Sequence, residues 1–176
     1  MTKLKLVELW NTSDNVFEML SVLHQLDGNG FQALVPQIHS YLLACCWKIQ
    51  HLLPQPDIRK GLEVAARFID GKASLQELRD IDWYMEAAAF ALDYAKTTEE
   101  IAELKSMIGS IHELDGLSYK DARKLLLDAA YFADSSVIYP AIRPRPFNSR
   151  LFKSKFMCAE LLREHVILDH RSSTDA

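Results

Sequence analysis

The stretch Asp57-Ile58-Arg59-Lys60-Gly61-Leu62-Glu63-Val64-Ala65-Ala66-Arg67-Phe68-Ile69-Asp70-Gly71 decides the fold. Ile58, Leu62, Ala65, Ala66 and Ile69 recur at intervals of four, three, one and three. That spacing gathers apolar side chains on one side of an α-helix, whereas a strand would scatter them over both of its faces. Pro54 and Pro56 break the chain ahead of it, Asp57 is suited to cap the first turn, and Asp70-Gly71 supplies a helix exit. The pattern therefore predicts an amphipathic helix whose buried side needs other helices to cover it.

The same signals repeat in both directions. Upstream, Pro36 opens a strongly apolar segment near 37–53, in which Ile38, Leu42, Leu43, Cys45, Cys46, Ile49, Leu52 and Leu53 occupy more than one face. A helix apolar on several sides is a central one. Before it, Thr12-Ser13-Asp14 offers an N-cap for a helix near 14–26 with Val16, Phe17, Leu20, Leu23 and Leu26 as its stripe. Asp27-Gly28-Asn29-Gly30 ends that helix. Downstream, Ser74 and Glu77 form a capping box for a helix near 75–95, whose seam is Leu75, Leu78, Ile81, Met85, Ala88, Ala89 and Leu92. Thr97 and Glu100 repeat the device ahead of Ile101, Leu104 and Ile108. After Gly116 a helix near 118–134 carries Ala122, Leu125, Leu126, Ala129 and Phe132. Pro140, Pro144 and Pro146 mark 135–149 as a connecting loop. A last helix near 149–168 shows Phe152, Phe156, Ala159, Leu162 and Val166. The expectation is an all-α, single-domain bundle over 1–176, with about seven helices and short connections.

Composition agrees. In 176 residues, 25 Leu and 18 Ala stand against 7 Val and 5 Thr, a balance that favours helices over sheets. The net charge of −4 argues against a dedicated nucleic-acid binder. No apolar run approaches the ~18 residues that would span a bilayer, and Glu8 interrupts the short run after Lys3 and Lys5, so no leader and no membrane partner are expected. An odd set of cysteines (Cys45, Cys46, Cys158) fits a reducing compartment, and the expected location is cytoplasmic.

No catalytic residue, metal ligand or cofactor is assigned. The glycines fit neither the dinucleotide fingerprint nor the phosphate-binding loop. A di-metal carboxylate centre needs Glu-x-x-His, yet Ser21, Pro36, Lys48, Gly109, Leu162 and Ile167 precede the six histidines by three positions. The Asp27–Gly30 run opens like a calcium loop but puts Phe31, Gln32 and Ile38 where ligands or Gly belong. Cys45 and Cys46 point about 100° apart on a helix, so they chelate one ion only with His39 and Cys158 converging on them; otherwise they are small buried hydrophobes. Asp82 and Glu86, with Arg79 and Trp83 nearby, read as a solvated helix face rather than an acid–base pair.

Two constellations are candidates for binding. Arg59, Glu63 and Arg67 are four apart on one helix, so Glu63 can pair with both arginines, either to set a helix–helix contact or to anchor a partner. Ser135 to Ala159 holds no acidic residue but carries Arg143, Arg145, Arg150, Lys153 and Lys155, with Tyr139, Phe147, Phe152 and Phe156 interleaved. The segment contributes +5 to a chain of −4, leaving −9 elsewhere. Its phenylalanines either face the core, with the cations against the acidic remainder of the molecule, or present a docking surface. The function expected is a non-enzymatic protein–protein interaction module, of adaptor or immunity/antitoxin type. It would bind through Arg143, Arg145, Phe147, Arg150 and Lys153, with Arg59, Glu63 and Arg67 as further contacts. The alternative is nucleic-acid or phosphate-ligand binding through residues 139–156, by charge attraction and stacking.

Leu42-Leu43-Ala44-Cys45-Cys46-Trp47-Lys48-Ile49-Gln50-His51-Leu52-Leu53, followed by Glu63-Val64-Ala65, Arg67 and Asp70-Gly71, resembles an uncharacterised, planctomycete-rich family of bacterial helical proteins. Members carry Cys-Cys-x-x-Ile-x-x-Leu-Leu, then Glu-Val-Ala-x-Arg and Asp-Gly, then an Ala-rich helix, here Ala87-Ala88-Ala89-Phe90-Ala91. The likeness covers residues 42–92. Leu161-Leu162-Arg163-Glu164 is similar to the Leu-Leu-Arg-Asp ending of many members, without their Asn-Pro-Phe stretch. The resemblance implies an independently folding helical module with Arg59, Glu63, Arg67 and Asp70 as family features, and it implies no activity.

Overall fold

The computed structural model describes residues 2–26, 32–141 and 151–167. They form α1 (Lys3–Thr12), α2 (Val16–Leu26), α3 (Val35–Lys48), α4 (Pro56–Ile69), α5 (Leu75–Tyr94), α6 (Thr98–Gly109), α7 (Tyr119–Val137) and α8 (Ala159–His165), with short 3-10 turns between several of them. Among the described residues there are no strands. The chain is the all-α bundle that its apolar periodicity predicts, with eight α-helices among the described residues where the sequence signals marked seven.

α3 is the hub, packed against α4, α7 and α8. Ile38, Tyr41, Leu42, Cys45 and Cys46 are fully buried on it. Its polar groups are answered by distant parts of the chain. The His39 ring donates from Nε2 to the Val137 carbonyl at 3.2 Å. Elsewhere around the helix, Gln37 Oε1 accepts the Ile167 N–H at 2.8 Å, and the Ser40 hydroxyl lies 2.8 Å from His165 Nδ1.

α4 and α5 pack together as a hairpin. Its turn is built by Gly71 at φ +71, where the Gly71 and Lys72 N–H groups return to the Phe68 and Arg67 carbonyls at 3.0 and 2.7 Å. The left-handed backbone there suits glycine. Farther along, Gly61 lets α5 approach closely: a Cβ on it would stand 1.9 Å from Met85 Sδ. Both expected capping boxes are present, at Ser74 with Glu77 and at Thr97 with Glu100. The far end of α5 is closed by Arg123 of α7, which donates to the Leu92 and Asp93 carbonyls at 2.9 and 2.7 Å.

Several features depart from expectation. α1 is a helix that no sequence signal marked. Thr2 makes no side-chain cap, and of its apolar residues Leu6 and Trp10 supply the buried ones. Its exit is held by Arg163 of α8, which donates to the Trp10 carbonyl at 3.2 Å and to the Ser13 carbonyl. The second concerns the cap of α2. Asn15 fills that role, its Oδ1 accepting the Phe17 N–H at 3.0 Å, instead of the Thr12-Ser13-Asp14 group. Third, the helix expected over 149–168 is a 3-10 turn at Leu151–Lys153 and a short α8, separated by Ser154 to Cys158. There the Ser154 N–H returns to the Leu151 carbonyl at 3.2 Å and the Met157 N–H to the Ser154 carbonyl at 3.3 Å, a tighter winding that ends the turn. Likewise α7 runs on to Val137, and a 3-10 turn covers Tyr139–Ala141, inside the expected 135–149 loop. The rest of that loop lies outside the described residues.

Candidate functional site

Once Leu78, Ile81, Met85, Ala89 and Leu92 turn α5 toward the core, the geometry of a helix sends positions 83, 87, 90 and 94 to the other side. Those positions are Trp83, Ala87, Phe90 and Tyr94. Successive steps of four, three and four keep them within a stripe about 60° wide and about 16 Å long. Trp83 is 72% and Tyr94 59% exposed, and Tyr84 and Phe90 also stand in solvent. The rings are ordered against one another. Phe90 meets Tyr94 edge-on at 5.8 Å and Tyr131 of α7 at 6.2 Å, while the Lys96 ammonium lies 5.7 Å over the Tyr94 ring. Asp80, Glu86 and Asp93 are exposed on the same helix, and Arg79 is its one basic residue. The result is an acidic-flanked aromatic ridge. The sequence reading took Trp83 for part of a solvated face. The signal that would have found the ridge is the recurrence of aromatics at seven and four residues off the core seam.

The charged trio on α4 is exposed but does not assemble as expected. Arg59 donates from Nε to the Leu53 carbonyl at 3.0 Å, and Arg67 pairs with Glu77 of α5 at 2.8 Å. Glu63 receives neither arginine. Arg67 thus staples α4 to the capping box of α5, and those contacts lower the Glu77 carboxyl from its usual range, chiefly through the Ser74 N–H it accepts. Asp70 pairs with Lys72 at 2.9 Å.

Arg143, Arg145, Phe147 and Arg150 lie outside the described residues. The flanks of their segment are described, and there the aromatic rings belong to the core. Tyr139 and Phe152 are buried and meet edge-on at 5.8 Å, and Phe156 packs on Phe132 at 5.7 Å. Burial pushes the Tyr139 hydroxyl up to about 12. Lys155 lies 3.7 Å from Asp128, so this cation faces the acidic remainder of the molecule. Lys153 is exposed and, with Lys155, lines a groove of about 490 Å³ that Asp14, Phe17, Phe152 and Met157 also border. Glu63, Asp82 and Glu86 do not line it.

The cysteines divide. Cys46 turns toward Ser136, and burial pushes its thiol up to about 12. Cys45 turns instead to Tyr41 and to the backbone N–H of Cys158, and burial pushes its thiol up to about 11. The Cys158 N–H donates to the Tyr41 hydroxyl at 3.1 Å, that hydroxyl donates to Met157 Sδ at 3.6 Å, and Lys48 Nζ donates to Cys158 Sγ at 3.4 Å. His39 joins neither cysteine in a ligand set. Among the described residues no group of three or more His, Cys, Asp or Glu is placed to hold a metal ion, and no helix is long and apolar enough to cross a membrane. The chain matches no protein-family model, no curated protein and no solved structure.

Proposed function

We propose that this chain is a protein-interaction module, an adaptor or an immunity-type protein that masks a partner's surface, and that the α5 ridge is its principal contact. One observation supports the reading: Trp83, Tyr84, Phe90 and Tyr94 hold their rings in water on a single helix, whereas the other exposed large apolar side chains among the described residues, Leu4, Phe17, Ile69, Leu117 and Ile167, lie scattered on other parts of the chain. Exposed aromatic clusters rimmed by charge mark interaction surfaces, because large rigid rings bury much area at little cost in entropy. The carboxylates of Asp80, Glu86 and Asp93 fit a partner segment that is basic and apolar. The basic run of Arg143, Arg145, Phe147 and Arg150 is a second contact element in this proposal, directed at acidic groups. Residues 42–92, which carry the family resemblance, contain both the α4 trio and most of the ridge.

The test compares affinity capture from the native host by the wild type, by Trp83→Ala/Tyr94→Ala and by Arg143→Glu/Arg145→Glu/Arg150→Glu, with quantitative mass spectrometry as readout. The ridge side chains are exposed, so the first variant keeps its thermal midpoint. The proposal expects a partner held by the wild type to fall at least tenfold with the ridge variant, since two hot-spot aromatics contribute about 2 kcal/mol or more. Equal recovery by the wild type and the ridge variant overturns it. A mobility shift with single-stranded or duplex probes at low salt, lost steeply as salt rises, would move the function to nucleic acid.

A further inference from the structure

Lys48, Tyr41 and Cys45 lie on one side of α3, spaced four and three residues apart, and all three reach the entry of α8. Cys158 sits there half-exposed, with the Lys48 ammonium on its sulfur at 3.4 Å and its own N–H on the Tyr41 hydroxyl at 3.1 Å. The same N–H is in hydrogen-bonding contact with the sulfur of Cys45, which is fully buried. Cys158 thus stands partly exposed beside a cation, over the side of α3 on which buried Cys45 lies between Tyr41 and Lys48. Cys46, the immediate neighbour of Cys45, points away to Ser136.

We propose that Cys158 and Cys45 are a peroxide-responsive thiol pair, with Cys158 the thiol that is oxidised, Lys48 its positioning cation and Cys45 the thiol that closes a disulfide. In the first step the Cys158 sulfur, having given up its proton, attacks the near oxygen of a hydroperoxide. An S–O bond forms, the O–O bond breaks, and the leaving alkoxide or hydroxide takes a proton to depart as alcohol or water. Sulfur is oxidised by two electrons to the sulfenic acid and the peroxide is reduced by two. The second step is attack by the Cys45 sulfur on the sulfenic sulfur. The S–S bond forms, the S–O bond breaks, and the hydroxide leaves as water with the Cys45 proton. Overall two thiols and one hydroperoxide give one disulfide, one alcohol (water when the oxidant is hydrogen peroxide) and one water. The Lys48 ammonium stands where negative charge gathers on Cys158 during the first step. The disulfide would pin the start of α8 to the hub helix by closing a long loop, and a thiol reductant would release it.

The full chain is treated with hydrogen peroxide, its thiols are alkylated under denaturing conditions, and its peptides are mapped by mass spectrometry. The expected result is an intrachain Cys45–Cys158 disulfide with Cys46 still alkylated, and a raised thermal midpoint that a reductant reverses. Cys158→Ser, a change at the surface, leaves both remaining thiols free. Cys45→Ser stops at a Cys158 sulfenic acid that dimedone traps. Lys48→Met slows Cys158 oxidation on the order of tenfold without moving the thermal midpoint of the reduced protein. Three free thiols after peroxide, or a Cys45–Cys46 or interchain bond in place of the intrachain pair, overturns the proposal. An unchanged oxidation rate in Lys48→Met overturns the role of Lys48.

Discussion

Gly61 shows how much one missing side chain decides. Alanine there would gain about 1 kcal/mol of helix propensity, but its methyl group would meet Met85 Sδ at 1.9 Å inside the core. Overpacking of this kind costs about 1–3 kcal/mol, so Gly61→Ala is expected to lose up to about 2 kcal/mol net by urea unfolding. In a Met85→Ala background the same change becomes neutral or stabilising, and a double-mutant cycle measures the coupling. His39 makes a second prediction at this scale. Burial lowers its imidazole from 6.5 to about 4, outweighing the Val137 carbonyl that favours the charged ring. Folded protein therefore holds His39 neutral while the unfolded chain protonates near its ordinary value. The associated stability is fully present above about pH 6.5 and drains away as the pH falls from there through about 4, amounting to about 3 kcal/mol. His39→Gln flattens stability over that window, measured as urea midpoints at pH 7.5 and 4.5. In the sequence, Gly61 was only one of the glycines that fit no phosphate-binding pattern, and His39 a candidate ligand to be weighed with Cys46. Neither tight approach nor burial is encoded locally; both arise where α3, α4, α5 and α7 meet.

At the scale of elements, what was legible had local chemistry behind it. The boxes at Ser74 and Thr97, the Gly71 exit and the core seams of α4 and α5 are contacts within a few residues, and the sequence states them outright. Ser74→Ala removes the acceptor of the Glu77 N–H and is expected to cost about 1 kcal/mol. Hydrogen exchange should locate that loss in the first turn of α5. α1 was illegible for the converse reason, since its exit is satisfied by a side chain from the other end of the molecule. The C-terminal aromatics teach the same lesson differently. Phe152 and Phe156 do enter the core, as a spacing of four suggested, yet the backbone delivering them is a turn and not a helix. Burial demand fixed the residues without fixing the path. The aromatic ridge was in principle readable, because assigning the seam of α5 also assigns the opposite face. Carboxylates interspersed with its rings give the same stretch the look of a solvated charged face.

Across the whole molecule, Arg163 ties first helices to last. Its guanidinium serves the Trp10 and Ser13 carbonyls and approaches Asp14 at 3.7 Å. Arg163→Met keeps the aliphatic stem but strands those carbonyls, and about 1–3 kcal/mol of stability should be lost. Amide exchange in residues 3–26 is the discriminating readout: it quickens there, while α5 and α7 keep their protection. The hub position of α3 sets a timetable as well. Its polar flanks find their counterparts 98 to 130 residues later in the chain. During synthesis, then, this largely buried helix leaves the ribosome well before its cover has been translated. At a translation rate of about 5–20 residues per second the wait lasts several seconds, long enough for chaperones to engage a naked α3 or for two nascent chains to stick together.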